Sequence, residues 1–249
     1  MKRINLSSLF NSRAGTGTAL WLGRNLPAQI GRPLARWAAD YISRHRQWSQ
    51  VRAVRANQWV VHSGQLSGKA LDQVVRDTFR ASAFSIYEYY HTLDQSQAVS
   101  RVFLPSSVLA LFDRIKQDQR GWIFVAPHLG NPDLMGRAIA ANGIHPLVLS
   151  VPRPPGGYQW QNQLRQAAGL EMAPASFESL RLASDKLKAG GMVLTGADRP
   201  FPESKYSPFF FNRPAALPVV HIKLALRFNL PVFVIGGFRR ADGLTEMFV

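Results

Sequence analysis

The sequence predicts an α/β fold, with a mainly parallel sheet flanked by helices behind an N-terminal helical region. Two observations carry that reading. From residue 120 onward, short apolar runs alternate with helical patterns, the grammar of parallel strands joined by crossover helices. Before residue 100 the apolar positions recur at helical spacing and no such strand grammar is present. A chain of 249 residues with 46% hydrophobic content suffices for one sizeable core and a helical appendage. We therefore expect a basic helical region over 1–100 and an α/β domain over 101–249.

The elements follow in order. Residues 18–60 read as helical, broken into shorter helices at Pro27 and Pro33. Residues 66–95 read as a helix whose apolar face is Leu71, Val74, Val75, Thr78, Phe79, Ser82 and Ile86. WIFVAP (122–127) reads as a buried strand and PDLMGRAIAAN (132–142) as a helix closed by Gly143. HPLVLSVP (145–152) is a strand, YQWQNQLRQAA (158–168) a helix ending at Gly169, and SFESLRLASDKLKAG (176–190) a helix. GMVLTGA (191–197) is a strand, followed by the loop DRPFPESKYSPFFFNRP. AALPVVHIKLALRFN (215–229) is helical and PVFVIGGF (231–238) is a strand. GTGTAL (15–20) mimics a dinucleotide loop, but no strand precedes it, so it is not read as one.

Charge is concentrated at the front. The formal net charge is +15. Residues 1–60 hold ten Lys or Arg (Lys2, Arg3, Arg13, Arg24, Arg32, Arg36, Arg44, Arg46, Arg52, Arg55) against one acid, Asp40. Trp21, Trp37, Trp48 and Trp59 are interleaved with them. Arg with Trp suits an anionic membrane surface, the cation meeting phosphate and the ring at headgroup depth. The same pairing suits nucleic acid, and a solvated basic face is the plain alternative. No run of about 18 apolar residues predicts a spanning helix. The basic start MKRINLSSLFNSRAGTG lacks the apolar stretch of a signal peptide, so the expected location is the cytoplasm. The absence of cysteine excludes disulfides, thiolate nucleophiles and Cys-based zinc sites. No His/Asp/Glu cluster has metal-ligand spacing.

The chemistry gathers at FVAPHLGNPDLMG (124–136). In a parallel sheet, active groups collect at the carboxyl ends of strands, and His128 sits at such an end. Asn131 suits an N-cap and Pro132 the first helical position, so Asp133 falls at the second. Folding back, Asp133 would accept the Nδ1 proton of His128 and leave Nε2 bare as a base toward a hydroxyl. On the other reading Asp133 only stabilises the helix start and His128 is a turn residue. Asp198 and Arg199 end a strand on the same predicted edge and read either as site residues or as a loop salt bridge. Phe209, Phe210 and Phe211 either line an acyl groove or pack beneath their loop. His221, in mid-helix among apolar residues, reads as a core or surface histidine.

HLGNPD is an H-x4-D motif at a strand end and resembles that of the glycerolipid acyltransferases. The fuller HLGNPDLMG is more similar to the lipid A biosynthesis acyltransferase family, which includes bacterial phosphatidylinositol mannoside acyltransferases. LTGADRP (194–200), RQAAGLEMAP (165–174) and FFFNRPAALPVV (210–220) resemble further blocks of that family. Pro132 stands where the family usually has Trp, Asn212 stands where it has Gly, and the family usually continues further at the C-terminus.

The resemblance implies O-acyl transfer from a thioester, acyl-CoA or acyl carrier protein, to a sugar hydroxyl of a membrane glycolipid, with no cofactor. It implies His128 as general base held by Asp133, and oxyanion stabilisation from backbone N–H groups near Gly130 or Asn131. Arg165, on the block that resembles the family's R-x-x-x-G, reads either as a donor or acceptor phosphate contact or as an exposed helix Arg; Arg213 is a second phosphate candidate, and Phe210 belongs to the groove-or-packing trio above. The implied setting is the cytoplasmic face of the bacterial inner membrane, with the protein held peripherally. The rivals are a non-catalytic lipid binder and, less favoured, a nucleic-acid binder.

Overall fold

The structure, a computed structural model, describes residues 12–93, 96–154, 156–199 and 206–249, with backbone only for 96–98. The basic start at residues 1–11, including Lys2 and Arg3, and residues 200–205 of the Pro-rich loop lie outside the described residues. The chain divides into two compact units, Met1–Gln95 with Pro155–Gly157, and Ser96–Pro154 with Tyr158–Val249.

The first unit is helical: α1 (Arg13–Asn25), α2 (Ala28–Arg44), α3 (Ser49–Val61) and α4 (Gly68–His91). Ser12 caps α1 by accepting from the Gly15 N–H at 2.9 Å. GTGTAL lies inside α1. Pro27 precedes α2, as expected, but Pro33 lies within it and does not break it. The ring forfeits one backbone bond, to the Gln29 carbonyl, which the rest of a 17-residue helix tolerates.

On α4 the buried stripe starts as predicted, with Leu71 and Val75 packed on Val51 of α3 and Phe79 alongside. Ser82 and Ile86 do not continue it and are exposed. The second half of α4 turns Tyr87 and Tyr90 inward instead. Tyr90 seats on Gly23 and Tyr87 on Gly31, where an added Cβ would come within 2.5 Å of the Tyr90 Cβ and 2.1 Å of the Tyr87 ring. The Tyr87 hydroxyl donates to the Leu26 carbonyl at 3.0 Å. Arg80 pairs with Asp40 through both carboxylate oxygens, at 2.6 and 2.7 Å, and Asp72 takes Arg46 and Arg55.

The second unit is built on a five-stranded, all-parallel sheet. Its strands are β2 (Trp122–Ala126), β3 (Leu147–Ser150), β4 (Glu171–Pro174), β5 (Met192–Gly196) and β8 (Val232–Val234), in the order β4-β3-β5-β2-β8. The crossovers carry α6 (Pro132–Ala141), α7 (Gly156–Ala167), α8 (Phe177–Lys188) and α9 (Val220–Phe228). Central β2 is buried from Trp122 to Val125, as a strand covered on both faces must be. On one face Ile123, Leu147 and Val193 pack with Ala183 and Leu187 of α8 and Leu224 of α9. Next to those positions on the strands, Trp122, Phe124 and Phe233 form an aromatic cluster with centroids 5.2–6.4 Å apart.

Several elements were not predicted. They are α5 (Ser106–Gln117), strand β4, the two-residue β1 (Val102–Phe103), and β10 (Thr245–Phe248). The strand expected over 231–238 is two strands. Ile235 still donates to the Val125 carbonyl at 3.0 Å, and then β9 (Gly236–Arg239) leaves to join a second sheet ordered β1-β10-β9. Gly236 and Gly237 permit the departure: a Cβ would lie 2.6 Å from the Phe248 ring at one and 2.6 Å from the Met135 sulfur at the other. The helix expected from 215 starts only at Val220, and the loop before it contains a hairpin, β6 (Phe209–Phe210) and β7 (Arg213–Pro214).

Candidate active site at the carboxyl edge of the sheet

The register of β2 and β5 builds the site. Ala126, the last residue of β2, faces Gly196, the last of β5. His128 and Asp198 each lie two residues further on, so two neighbouring strand ends deliver them side by side. Nδ1 of His128 lies 2.7 Å from Oδ1 of Asp198, and the His128 backbone N–H donates to Oδ2 at 2.7 Å. A Cβ at Gly196 would sit 3.9 Å from Cε1 of His128, an ordinary contact distance, so the ring lies directly over the end of β5.

The electrostatics fix the tautomer. Burial pushes the Asp198 pKa up, but the hydrogen bonds from the His128 ring and backbone, with the ring's charge, pull it lower and prevail. An ionised carboxylate only accepts, so the shared proton sits on Nδ1. Nε2 then carries the lone pair, and among the described residues it has no hydrogen-bond partner. The ring is 45% exposed, open enough for a substrate to reach it.

Asp133 does not hold His128. It sits at the second position of α6, as predicted, but its Oδ1 accepts from Nε of Arg165 on α7 at 2.7 Å. The reason is charge: the Arg165 side chain is only 18% exposed and demands a counter-ion. Burial works against the Arg165 charge, yet Asp133 and a hydrogen bond with Tyr158 raise its pKa further above the usual guanidinium value. Nη1 of Arg165 also donates to Oδ1 of Asn162 at 2.9 Å.

Tyr158 joins the two groups of residues. The guanidinium of Arg165 lies 5.1 Å from its ring centroid and that of Arg199 lies 5.6 Å away. His128, Asp198, Arg199, Arg165 and Asp133 thus form one connected set. Tyr158 and Asn162 were missed by the sequence reading. Their spacing of seven and three residues before Arg165 on a helix is the signal that could have found them.

The turn residues serve the backbone. Asn131 is buried and caps α6, its Oδ1 accepting from the Leu134 N–H at 3.3 Å. Gly130 takes φ +72°, and a Cβ there would lie 2.7 Å from the Gly237 carbonyl group. Only glycine lets this loop lie on β9. Phe210 and Arg213 are carried on the β6–β7 hairpin rather than on a strand end of the main sheet, and both are exposed. His221 is buried, with Nδ1 3.3 Å from Oγ1 of Thr195. Among the described residues, no group of three or more His, Asp or Glu could hold a metal ion.

In the first unit, α2 exposes Ile30, Leu34, Trp37 and Tyr41, spaced by four, three and four residues along one stripe. No helix among the described residues is long and apolar enough to cross a membrane.

The sequence model of the family described as bacterial lipid A biosynthesis acyltransferase matches residues 14–248. No curated protein matches the chain.

Proposed function

The chain belongs to the bacterial lipid A biosynthesis acyltransferase family, and from that premise we propose that it moves a fatty acyl chain from a thioester to a sugar hydroxyl of a membrane glycolipid. The donor is acyl-CoA or acyl carrier protein, and it is a substrate rather than a resident cofactor. Nε2 of His128 takes the hydroxyl proton as the oxygen attacks the thioester carbonyl. The C–O bond forms, the C–S bond breaks, and the departing thiolate recovers the proton from the imidazolium. Asp198 keeps the ring in the required tautomer and stabilises its charge while it carries the proton. General-base help of this kind is worth about two to four powers of ten in rate.

The observation that carries the proposal is the paired contact of His128 with Asp198 at the carboxyl edge of a parallel sheet. The Asp133–Arg165 pair braces α6 against α7 beside it, and Arg199 offers a cation for a donor or acceptor phosphate. The exposed apolar stripe of α2, with Arg32, Arg36 and Arg44 on the same helix, supports docking on an anionic leaflet, the cytoplasmic face of the inner membrane. Such a stripe fits lipid better than nucleic acid.

The test uses radiolabelled acyl-CoA and extracted glycolipid. His128→Ala protein that keeps its circular dichroism spectrum and melting temperature should transfer no label. Equal transfer by both proteins would remove His128 from the chemistry. Vesicle binding without turnover by either protein would favour a lipid binder.

A further inference from the structure

We propose that the β6–β7 hairpin is a membrane-inserting wedge: its three phenylalanines enter the interface of an anionic bilayer, giving the α/β unit a lipid contact of its own. The strands are Phe209–Phe210 and Arg213–Pro214, paired as Phe210 with Arg213 and Phe209 with Pro214. Phe209 is 79% exposed, Phe210 52% and Phe211 47%. Neighbouring residues of a strand point to opposite sides, so no single protein surface can cover both Phe209 and Phe210. A medium that surrounds the hairpin can. That argues for lipid over a second copy of the chain.

The backbone agrees. Phe211 and Asn212 both take positive φ, +48° and +57°, the signature of a two-residue I′ turn. Asn accepts that conformation readily and a bulky aromatic does not. A strained aromatic at the tip, packed edge-on against Phe210 at 4.7 Å, needs a use to offset its strain. Pro208 and Pro214 lack backbone N–H groups, so fewer donors are stranded when the hairpin enters a low-dielectric layer.

Charge selects an anionic surface. Residues 206–240 hold five Lys or Arg and no Asp or Glu. Lys223 on α9 lies 5.7 Å from the ring of Tyr206, at the approach to the hairpin, and α9 exposes Ile222 and Leu226 one turn apart. Arg240 is taken up by Asp242 and Glu246, so the charge offered to lipid is that of Lys223 and Arg227 on α9. Cations beside exposed aromatic and aliphatic groups match the headgroup boundary of an acidic membrane.

The chain has no cysteine, so Phe209→Cys gives a unique labelling site in the full-length protein. An NBD fluorophore there should shift to the blue with vesicles of equal parts phosphatidylglycerol and phosphatidylethanolamine, and be quenched by lipids brominated on the upper acyl chain. His128→Ala should not alter the result, because the wedge does not depend on catalysis. In unlabelled protein, Phe209→Ser with Phe211→Ser should weaken partition to those vesicles by roughly tenfold. Vesicle-bound protein with an unquenched label and an unchanged partition overturns the proposal. So does a blue shift without lipid that grows with protein concentration, which would mean that a second copy covers the hairpin.

Discussion

Asp198 holds His128 at two points, accepting from the ring at Oδ1 and from the backbone N–H at Oδ2, both at 2.7 Å. The double contact fixes the ring relative to its own main chain, and it needs an acceptor at both oxygens. Asp198→Asn places an amide where one of the two acceptors stood. One His128 donor then faces an N–H₂ group, and the ring loses its tautomer or its aim. Transfer should fall by about two to four powers of ten. Steady-state kinetics should place the loss in kcat more than in KM, and vesicle binding should be unchanged. Near-normal turnover would show that the contact does not serve the chemistry.

Asp133→Ala has a different expected consequence. It strips the counter-ion from a guanidinium that is mostly withdrawn from water. Because both partners keep some solvent, the cost is discounted to about 1–3 kcal/mol. Thermal melting should show it, and Asp133→Ala combined with Arg165→Met should recover much of the loss, since no orphan charge remains. If the single variant melts like wild type while transfer is abolished, Asp133 acts on substrate directly.

This distinction marks the limit of what the sequence could reveal. The motif H-x4-D is legible in one dimension and suggests that its two ends meet. The meeting is decided by sheet order, which places β5 against β2 and so brings Asp198 to His128 from 70 residues away. Local pattern carries no sheet order. It did carry the strand ends, which is why Asp198 and Arg199 were named without their partner. The helix α5 was missed because nothing before it marked the start of the α/β unit. The strand 231–238 was misread because two adjacent glycines look like a strand that continues and act as a place to leave it.

Acid should reveal two windows of lost stability. His221 is buried, and burial holds its pKa below the ordinary 6.5. The folded protein therefore binds that proton less readily than the unfolded chain. The stability this contributes is fully present above 6.5 and is lost as pH falls through the lowered folded value. Asp198 behaves alike further down: its contribution is present above 3.8 and is lost as pH falls through a folded value below that. Denaturant midpoints measured against pH should flatten in the upper window for His221→Gln and in the lower one for Asp198→Asn. An unchanged upper slope in His221→Gln would mean that another group titrates there.

Gly130→Ala tests whether the catalytic turn depends on contact with the second sheet. At φ +72° an alanine is strained, and its methyl would stand 2.7 Å from the Gly237 carbonyl group, where backbone has nowhere to yield. Left-handed strain alone costs about 1–3 kcal/mol, and the clash adds to it. The turn from His128 to Asn131 must shift or β9 must move away. Displacing His128 breaks the register that sets it against Asp198, so transfer should fall together with the melting temperature. Gly143→Ala is the control. It has a similar φ of +77° with nothing within 4 Å of the added Cβ, so it should lower stability and leave turnover per folded molecule intact. Equal turnover in the two variants would show that the contact between Gly130 and Gly237 supports the fold and not the aim of His128.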